Sequence, residues 1–212
     1  MNDIAILGSE GFAKEIYGII KSTNAFKTSW NFLGFISKAK PKKPIIDEFL
    51  VIGDDNYIVD YERKINLVIG IADPKIRQNL FNQFKTKENV LFPNIVHPSF
   101  IGDLNNIQLG FGNIIAASCI ISPHVSIGNF NILNMNTIIA HDSKIHNFCT
   151  INPNSNISGN VKINNACLVG SNSVIYQDVS LGVNTILGIG SVLTRNTQPH
   201  TTYFGNPAKK IG

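Results

Sequence analysis

The second half of the chain repeats an aliphatic residue at every sixth position, and this period restricts the fold more than any other feature. A helix repeats near 3.6 residues and an ordinary strand near 2, so neither explains a strict period of six. In a parallel β-helix, six residues form one strand and one corner, and three such units complete a triangular turn. The repeated side chain then points to the axis and stacks on its equivalents about 4.8 Å apart. The aliphatic positions are Leu109, Ile115, Ile121, Ile127, Leu133, Ile139, Ile145, Ile151, Ile157, Ile163, Val169, Ile175, Leu181, Leu187 and Leu193.

Mostly small side chains lie two residues before these positions, as a crowded corner requires. The period predicts a coil of nearly five turns over 109–193, an irregular lead-in over 97–108, and a domain boundary at His97-Pro98. Cys149 and Cys167 are eighteen residues apart and fall in one column. A metal would need more ligands nearby, so we interpret them as stacked core residues. The small positions include Asn113, Cys119, Asn131, Thr137, Ser143, Cys149, Ser155, Cys167, Ser173, Thr185 and Ser191.

The first half alternates strand and helix patterns. Helices are expected from Phe12 to about Ser22 and from Pro74 onward, where apolar residues recur at helical spacing. The expected strands cover residues 4–7, 32–36, 49–52 and 66–71. Strand, helix and strand in alternation predict a small parallel α/β domain.

The turn Gly8-Ser9-Glu10-Gly11 joins the first strand to the first helix. Glycine lets the backbone approach a ligand closely, and the helix N-terminus behind the turn favours an anion. A dinucleotide fingerprint needs a third glycine, but Ala13 and Lys14 follow Phe12, and no acidic residue ends the second strand. We therefore prefer a nucleotide-sugar site to an NAD site, and a plain βα turn without a ligand is the alternative.

Charged residues make up only 15% of the chain, which suits a protein that covers much of its surface with partner subunits. The net charge is +4, and lysines gather at Lys38, Lys40, Lys42 and Lys43. This cluster forms either a solvated loop or a positive edge for a phosphorylated substrate. The rest of the chain carries no basic stripe or aromatic platform, which argues against nucleic acid as a partner.

The three cysteines, without a CxxC pair, indicate free thiols in a reducing cytoplasm. The N-terminal residues lack the charged leader and apolar stretch of a signal peptide. No apolar run approaches the ~20 residues of a membrane span. We expect a cytoplasmic protein that does not insert into membranes.

A glycine-turn α/β domain followed by a hexapeptide coil resembles the bacterial family of nucleotide-sugar N-acetyltransferases and sialic acid O-acetyltransferases. That family belongs to the left-handed β-helix (hexapeptide repeat) acyltransferase superfamily, and handedness is inferred from this resemblance alone. The resemblance covers almost the whole chain. It depends on the segments Gly8–Phe12, Gly70–Arg77, Ile139–Asp142 and Gly205–Lys209.

The resemblance implies a homotrimer with active sites in the clefts between adjacent coils. Its parts would be a Rossmann-like α/β nucleotide-sugar-binding domain (1–97), a left-handed parallel β-helix (98–197) and a C-terminal tail near acetyl-CoA (198–212). The implied reaction transfers acetyl from acetyl-CoA to the amine of a nucleotide-linked amino sugar, such as a 4-amino-4,6-dideoxy sugar, for surface glycan biosynthesis. The resemblance also implies that acetyl-CoA is the cosubstrate and that no metal takes part.

The resemblance also assigns catalytic roles residue by residue. His141 matches the general base, which takes a proton as the sugar amine attacks the thioester, without an acyl-enzyme. Histidine suits this role because it titrates close to working pH. Asp142 matches an acidic residue that orients the imidazole, and Gly159 matches a glycine whose N–H faces the thioester carbonyl. Ser171 and Ile189 match backbone contacts to the pantetheine arm.

Three further residues are assigned to acetyl-CoA less directly. Thr150 stands where some relatives carry a second histidine near acetyl-CoA, so its role is open. Lys209 and Lys210 in the tail either meet the phosphates of CoA or remain solvated.

The acceptor site is also assigned by resemblance, and two departures change what it would hold. Relatives often have histidine in place of Phe12 and an acidic pair in place of Ser37-Lys38. A lysine there favours a phosphate over a ribose hydroxyl, which leaves the nucleobase (UDP, dTDP or GDP) and the sugar open. The expected acceptor-site residues are Gly8, Glu10, Gly11, Phe12, Ser37, Lys38 and Ala72.

Two alternatives of another class compete with an acetyltransferase. The spacing His141-x-x-x-x-His146 is similar to that of γ-class carbonic anhydrases, which hold zinc with three histidines. The remaining coil histidine, His124, is one residue out of column with His141. A trimeric scaffold that only binds a nucleotide is the second alternative, and O-acetylation of sialic acid is an alternative reaction within the family.

Overall fold

The computed structural model describes residues 1–39 and 45–211. Of the four clustered lysines, only Lys38 is among them. Lys40, Lys42 and Lys43 therefore lie outside the described residues. The chain divides into two compact units, Met1–Pro98 and Ser99–Gly212. The division falls one residue after the expected end of the first domain at residue 97.

The first unit is a five-stranded sheet with helices between its strands. The strand order is β3-β2-β1-β4-β5, and every neighbouring pair is parallel, which confirms the small α/β domain. α1 buries one apolar face through Ala13, Ile16 and Ile20. In chain order the elements are β1 (Asn2–Leu7), α1 (Gly11–Phe26), β2 (Trp30–Ile36), β3 (Val51–Gly53), α2 (Asp55–Asp60), β4 (Ile65–Ile69), α3 (Pro74–Phe84), β5 (Val90–Leu91) and β6 (Ile95–Val96).

Several boundaries in this unit differ from the expected ones. α1 continues past Ser22, and the Asn24 side chain joins its end to β2 by accepting the N–H groups of Ser29 and Trp30. The predicted third strand begins later, at Val51, because the preceding residues form a turn that Phe49 closes by donating to Ile46. α2, β5 and β6 were not expected, since they are too short to show a periodic pattern.

The second unit is a parallel β-helix of two-residue strands that ends in a hairpin. These strands are β7 (Gln108–Leu109), β8 (Ile114–Ile115), β9 (Ile120–Ile121), β10 (Ser126–Ile127), β11 (Ile132–Leu133), β12 (Ile138–Ile139), β13 (Lys144–Ile145), β14 (Thr150–Ile151), β15 (Asn156–Ile157), β16 (Lys162–Ile163), β17 (Leu168–Val169), β18 (Val174–Ile175), β19 (Ser180–Leu181), β20 (Ile186–Leu187) and β21 (Val192–Leu193). The hairpin strands are β22 (Thr202–Gly205) and β23 (Ala208–Lys210). β22 pairs in parallel with β20, so the tail extends one face of the coil.

The coil has three faces, and each stacks every third strand. Face 1 holds β7, β10, β13, β16 and β19; face 2 holds β8, β11, β14, β17 and β20; face 3 holds β9, β12, β15, β18 and β21. The fifteen aliphatic residues pair in register along these faces, for example Ile139 with Ile121 and Ile157. All are at most 3% exposed except Leu109, which is half-buried. The three predicted inner columns are therefore confirmed.

Every corner of the coil contains one residue in the left-handed region. From Gly112 to Gly190, each sixth residue has a φ between 54° and 69°. Asn, Asp and Gly tolerate this conformation best, and they occupy most of these positions. We name the corners by the faces they join, so that residues 140–143 and 158–161 lie in the 3–1 corner. Residues 170–173 and 188–191 lie in the 2–3 corner.

Candidate active site

His141 lies in the 3–1 corner, directly before the left-handed residue Asp142. The Nδ1 atom of His141 is 2.8 Å from Oδ2 of Asp142, and the two side chains are 68% and 58% exposed. A carboxylate only accepts hydrogen bonds, so in the neutral imidazole Nδ1 carries the proton and Nε2 keeps its lone pair. The pair therefore presents a basic nitrogen at an accessible corner.

Gly159 occupies the same corner position one turn further along the coil. The imidazole of His141 lies against it: a β-carbon on Gly159 would be 2.8 Å from Cε1 and 2.9 Å from Nε2. The backbone fixes this stacking, since the N–H of Asn160 donates to the carbonyl oxygen of His141 at 2.9 Å. Gly159 does not adopt a left-handed φ, so the position needs glycine for space and not for conformation.

The other residues assigned to acetyl-CoA lie elsewhere on the coil. Ser171 and Ile189 occupy adjacent turns of the 2–3 corner, where the N–H of Gly190 donates to the carbonyl oxygen of Ser171. Ile189 is 63% exposed and Ser171 is half-buried. Thr150 lies on face 2 and is only 2% exposed, so its position gives no support to a contact with a cosubstrate.

The two tail lysines belong to β23 of the terminal hairpin. Lys209 is exposed, and Lys210 donates to the side-chain oxygen of Gln198 at 3.0 Å. Both ammonium groups lie at the surface, which is compatible with either the phosphate contact or the solvated state expected from the sequence.

In the first unit, the turn after β1 and the loop after β4 lie side by side. Strand order reverses between β1 and β4, and in open parallel sheets ligands bind at such a switch point, beyond the carboxyl ends of the strands. Gly8 has a φ of 111°, and a β-carbon there would be 2.9 Å from the carbonyl oxygen of Gly70. Gly70 in turn donates its N–H to Leu7 at 2.7 Å. The two glycines allow the turn and the loop to touch.

The remaining predicted acceptor residues surround this edge of the sheet. Glu10 is the N-cap of α1 without a capping side-chain bond, Gly11 begins the helix, and Phe12 is half-buried. The hydroxyl of Ser37 accepts the N–H of Ala39 at 3.2 Å and so stabilises a local turn. Lys38 and Ala72 are exposed, at the ends of β2 and β4 respectively. The helix N-terminus, Lys38 and the open loop favour a negatively charged ligand here.

Sequence reasoning missed one buried residue at this edge, Arg77. Its side chain is 1% exposed, and its Nη1 donates to the carbonyl oxygens of Ile71 (3.0 Å) and Ala72 (2.9 Å). The sequence analysis included Arg77 only as the last residue of the segment Gly70–Arg77 and gave it no role, because a helical pattern alone does not separate a buried arginine from a surface one.

The two histidines that suggested the carbonic anhydrase alternative lie in different corners of the coil. His141 lies in the 3–1 corner, whereas His146 follows β13 and begins the next corner. Burial, and then the charges of Lys162 and Lys144, lower the pKa of His146. Within residues 1–39 and 45–211, no group of three or more His, Cys, Asp or Glu side chains is arranged to hold a metal ion.

Two protein-family models match parts of the chain, one in each unit. Residues 3–84 match the family model of the PglD N-terminal domain. Residues 142–177 match the bacterial transferase hexapeptide model of six repeats. Residues 3–84 are therefore similar to a PglD-type N-terminal domain, and residues 142–177 to the hexapeptide repeats of bacterial transferases. No curated protein matches its sequence.

Solved structures share this fold over the full chain. A mutant of perosamine N-acetyltransferase from Caulobacter crescentus, in complex with CoA and GDP-perosamine, has a TM-score of 0.90 at 23% identity and covers 100% of this chain and 98% of its own. The acetyltransferase domain of PglB from Neisseria gonorrhoeae, with acetyl coenzyme A, has a TM-score of 0.89 at 20% identity and covers 100% of both chains. WeeI from Acinetobacter baumannii has a TM-score of 0.88 at 22% identity, again over 100% of both chains.

These matches confirm the resemblance and the left-handed β-helix predicted from the sequence. The PglD-type domain carries the switch-point edge, and the hexapeptide coil carries the His141–Asp142 pair. Among the residues that the structure describes, no helix combines the length and apolar character of a membrane span.

Proposed function

We propose that the protein transfers acetyl from acetyl-CoA to the amine of a nucleotide-linked amino sugar, with a 4-amino-4,6-dideoxy sugar or a close analogue as acceptor. The product would enter surface glycan biosynthesis in the cytoplasm. Support comes from the shared fold, since one similar structure binds CoA and GDP-perosamine and another binds acetyl coenzyme A. The PglD-type domain is the proposed acceptor-binding part, through the residues at its switch-point edge.

The observation that carries the proposal is the His141–Asp142 pair held against Gly159. In the proposed reaction, Nε2 of His141 takes a proton as the amine nitrogen attacks the thioester carbonyl. The new C–N bond forms, the C–S bond breaks, and the proton passes to the sulfur of departing CoA. The Asp142 carboxylate accepts the hydrogen bond of the Nδ1–H group throughout. The N–H of Gly159 is the proposed donor to the oxyanion.

A homotrimer forms part of the proposal. The outward side chains of face 3 are mostly apolar and partly exposed: Ile120 and Ile138 at 37%, and Val174 at 36%. Ile120 and Ile138 are stacked directly, and Asn156 separates them from Val174. Partly exposed apolar side chains along one face favour contact with another copy of the chain. Light scattering after size exclusion should give three times the chain mass of 23.3 kDa. A monomer at micromolar concentration would contradict this part.

The test of the reaction is acetyl-CoA-dependent thiol release with a panel of UDP-, dTDP- and GDP-linked amino sugars. We expect release with at least one of them and acetylation of its amine by mass spectrometry. Sialic acid in the same assay tests O-acetylation, and metal analysis with a CO₂ hydration assay tests the carbonic anhydrase alternative. If none of the nucleotide-linked amino sugars in the panel causes thiol release, the proposed function is contradicted.

A further inference from the structure

Arg77 is buried at a position where a charged side chain is unfavourable for two separate reasons. It is the largest of the fully buried side chains in the described residues, and a guanidinium remains charged at every ordinary pH. It is also the fourth residue of α3, close to the helix N-terminus, where the helix dipole disfavours a cation. A buried charge is tolerated only when its hydrogen bonds are made, so the contacts of Arg77 should explain its presence.

Two of those contacts reach the loop between β4 and α3. The carbonyl oxygens of Ile71 and Ala72 both accept from Nη1 of Arg77, at 3.0 and 2.9 Å. On the other side of the loop, the carboxylate of Asp73 caps α3 by accepting the N–H of Ile76 at 2.9 Å. The loop is therefore fixed from inside, while Ala72 and Asp73 themselves remain exposed.

The direction of the peptide groups follows from these bonds. In a planar trans peptide the C=O and the N–H point in opposite directions. Because the carbonyl of Ala72 points inward to Arg77, the N–H of Asp73 points away from it. The loop that carries this N–H begins at Gly70, which touches Gly8 of the first turn at the switch-point edge.

We propose that Arg77 is a positioning residue for acceptor recognition, which fixes the loop after β4 so that its outward N–H binds an oxygen of the nucleotide-linked sugar. This inference rests on the proposed function. Arg77 does not touch the acceptor itself. A phosphate, hydroxyl or base carbonyl oxygen supplies the hydrogen-bond acceptor.

The test replaces Arg77 with lysine, which keeps the charge but loses the fork geometry, and with glutamine, which keeps an N–H donor without charge. Arg63→Lys is the matched control, because this arginine lies in the same unit with 75% of its side chain exposed. Both Arg77 variants should raise the acceptor KM roughly tenfold or more, with kcat and the acetyl-CoA KM changed by less than about twofold. Hydrogen exchange of the peptide covering 70–73 should become faster in these variants and not in Arg63→Lys.

Three outcomes would overturn the inference. One is an unchanged acceptor KM in folded Arg77→Lys protein, and another is a parallel loss of both KM values and kcat, as expected of a structural residue. The third is failure of both variants to fold. Nucleotide-sugar binding is also measured calorimetrically without acetyl-CoA. Normal binding without acetyl transfer contradicts the proposed function alone, whereas binding that Arg77→Lys leaves intact contradicts only the role of Arg77.

Discussion

The coil and the α/β unit build their candidate sites in opposite ways. In the coil, the same backbone recurs at every turn, and the 3–1 corner position of His141 is held by Pro123, Gly159, Gln177 and Arg195 in other turns. Chemistry is added there by changing one side chain at a repeated position. In the α/β unit, the reversal of strand order creates a single edge, where the turn after β1 touches the loop after β4 at Gly8 and Gly70. Arg77 holds that loop through two of its carbonyl oxygens.

This difference teaches where function can be separated from stability. A side chain at an exposed coil corner contributes little to packing, so it can change without loss of the fold. The loops of the α/β edge are part of how the sheet is held, so changes there affect binding and local order together. The predicted division of roles is catalysis on the coil and acceptor recognition on the α/β unit.

The largest expected effect is on His141. Replacement of His141 by asparagine should lower kcat by about 10²–10⁴-fold, because the general base is lost. Binding of the nucleotide-linked sugar, measured calorimetrically, should change by less than about threefold if acceptor recognition belongs to the α/β unit. Loss of that binding would break the division of roles.

His124→Asn provides the matched control for this substitution. Like His141, His124 is an exposed histidine of the coil. Its own φ lies in the left-handed region, which asparagine tolerates well. Its kcat should remain within about twofold of wild type. Equal losses in both variants would mean that the coil surface responds to any histidine change, and the assignment of His141 would be wrong.

The next largest effect concerns the two cores. Ile157 is fully buried and stacks between Ile139 and Ile175, whereas Ile6 is fully buried in the central strand of the α/β sheet. Alanine at either site should lower the free energy of unfolding by about 2–5 kcal/mol. Urea unfolding measures the loss, and hydrogen exchange should locate the weakening in the neighbouring turns for Ile157→Ala only. A cost below about 1 kcal/mol would contradict close packing of the inner column.

The coil could be predicted almost completely from the sequence because each turn repeats one physical requirement. Fifteen aliphatic residues at one spacing fixed the strands, the faces and the columns. The left-handed residue of each corner was not predicted, since Phe130, Phe148 and Ala166 occupy some of these positions alongside asparagine. Their conformation follows from the closure of the turn and not from their own preference.

The α/β unit was predicted less well because its details depend on contacts between distant segments. β4 ends at Ile69, two residues before the predicted end, and beyond it Arg77 binds the carbonyls of Ile71 and Ala72, which no local pattern reveals. In the candidate site, the His141–Asp142 pair could be predicted from adjacent residues. The packing of the imidazole against Gly159 could not, although the spacing of eighteen placed the two residues in one column.

A smaller effect is expected when Gly159 is replaced by alanine. The added β-carbon would lie 2.8–2.9 Å from the imidazole, so the ring must move, and we expect kcat to fall about ten- to a hundredfold. A double-mutant cycle separates two explanations. If Gly159 acts through the imidazole, Gly159→Ala should cost almost nothing further in the His141→Asn background. A full additional loss in that background would show that the glycine acts on the thioester directly.

The smallest predicted effect is a pH-dependent one in the α/β unit. The Asp3 carboxylate accepts from the hydroxyl of Tyr61 and from the amide of Asn31, and these bonds, with a contribution from Arg63, lower the pKa of Asp3 below the ordinary 3.8. Because the pKa of Asp3 is lower in the folded state, its carboxylate stabilises the fold above pH 3.8. This stabilisation is lost as the pH falls through the pKa of the folded state. Asp3→Asn should therefore cost about 1 kcal/mol at pH 7 in urea unfolding, and the difference from wild type should shrink toward pH 3.

Asp178→Asn gives the corresponding measurement in the coil, where the carboxylate accepts from the side-chain amide of its stacked neighbour Asn160. Asparagine keeps both the left-handed conformation and a side-chain oxygen at this corner, so the loss at pH 7 should be smaller than for Asp3. Equal losses would break the contrast between the two units, because they would make side-chain hydrogen bonds as important to the coil as its stacked core. If Asp3→Asn loses more stability than Asp178→Asn and the difference disappears in acid, charge-assisted hydrogen bonds stabilise the α/β unit. The coil would then depend mainly on its stacked inner columns.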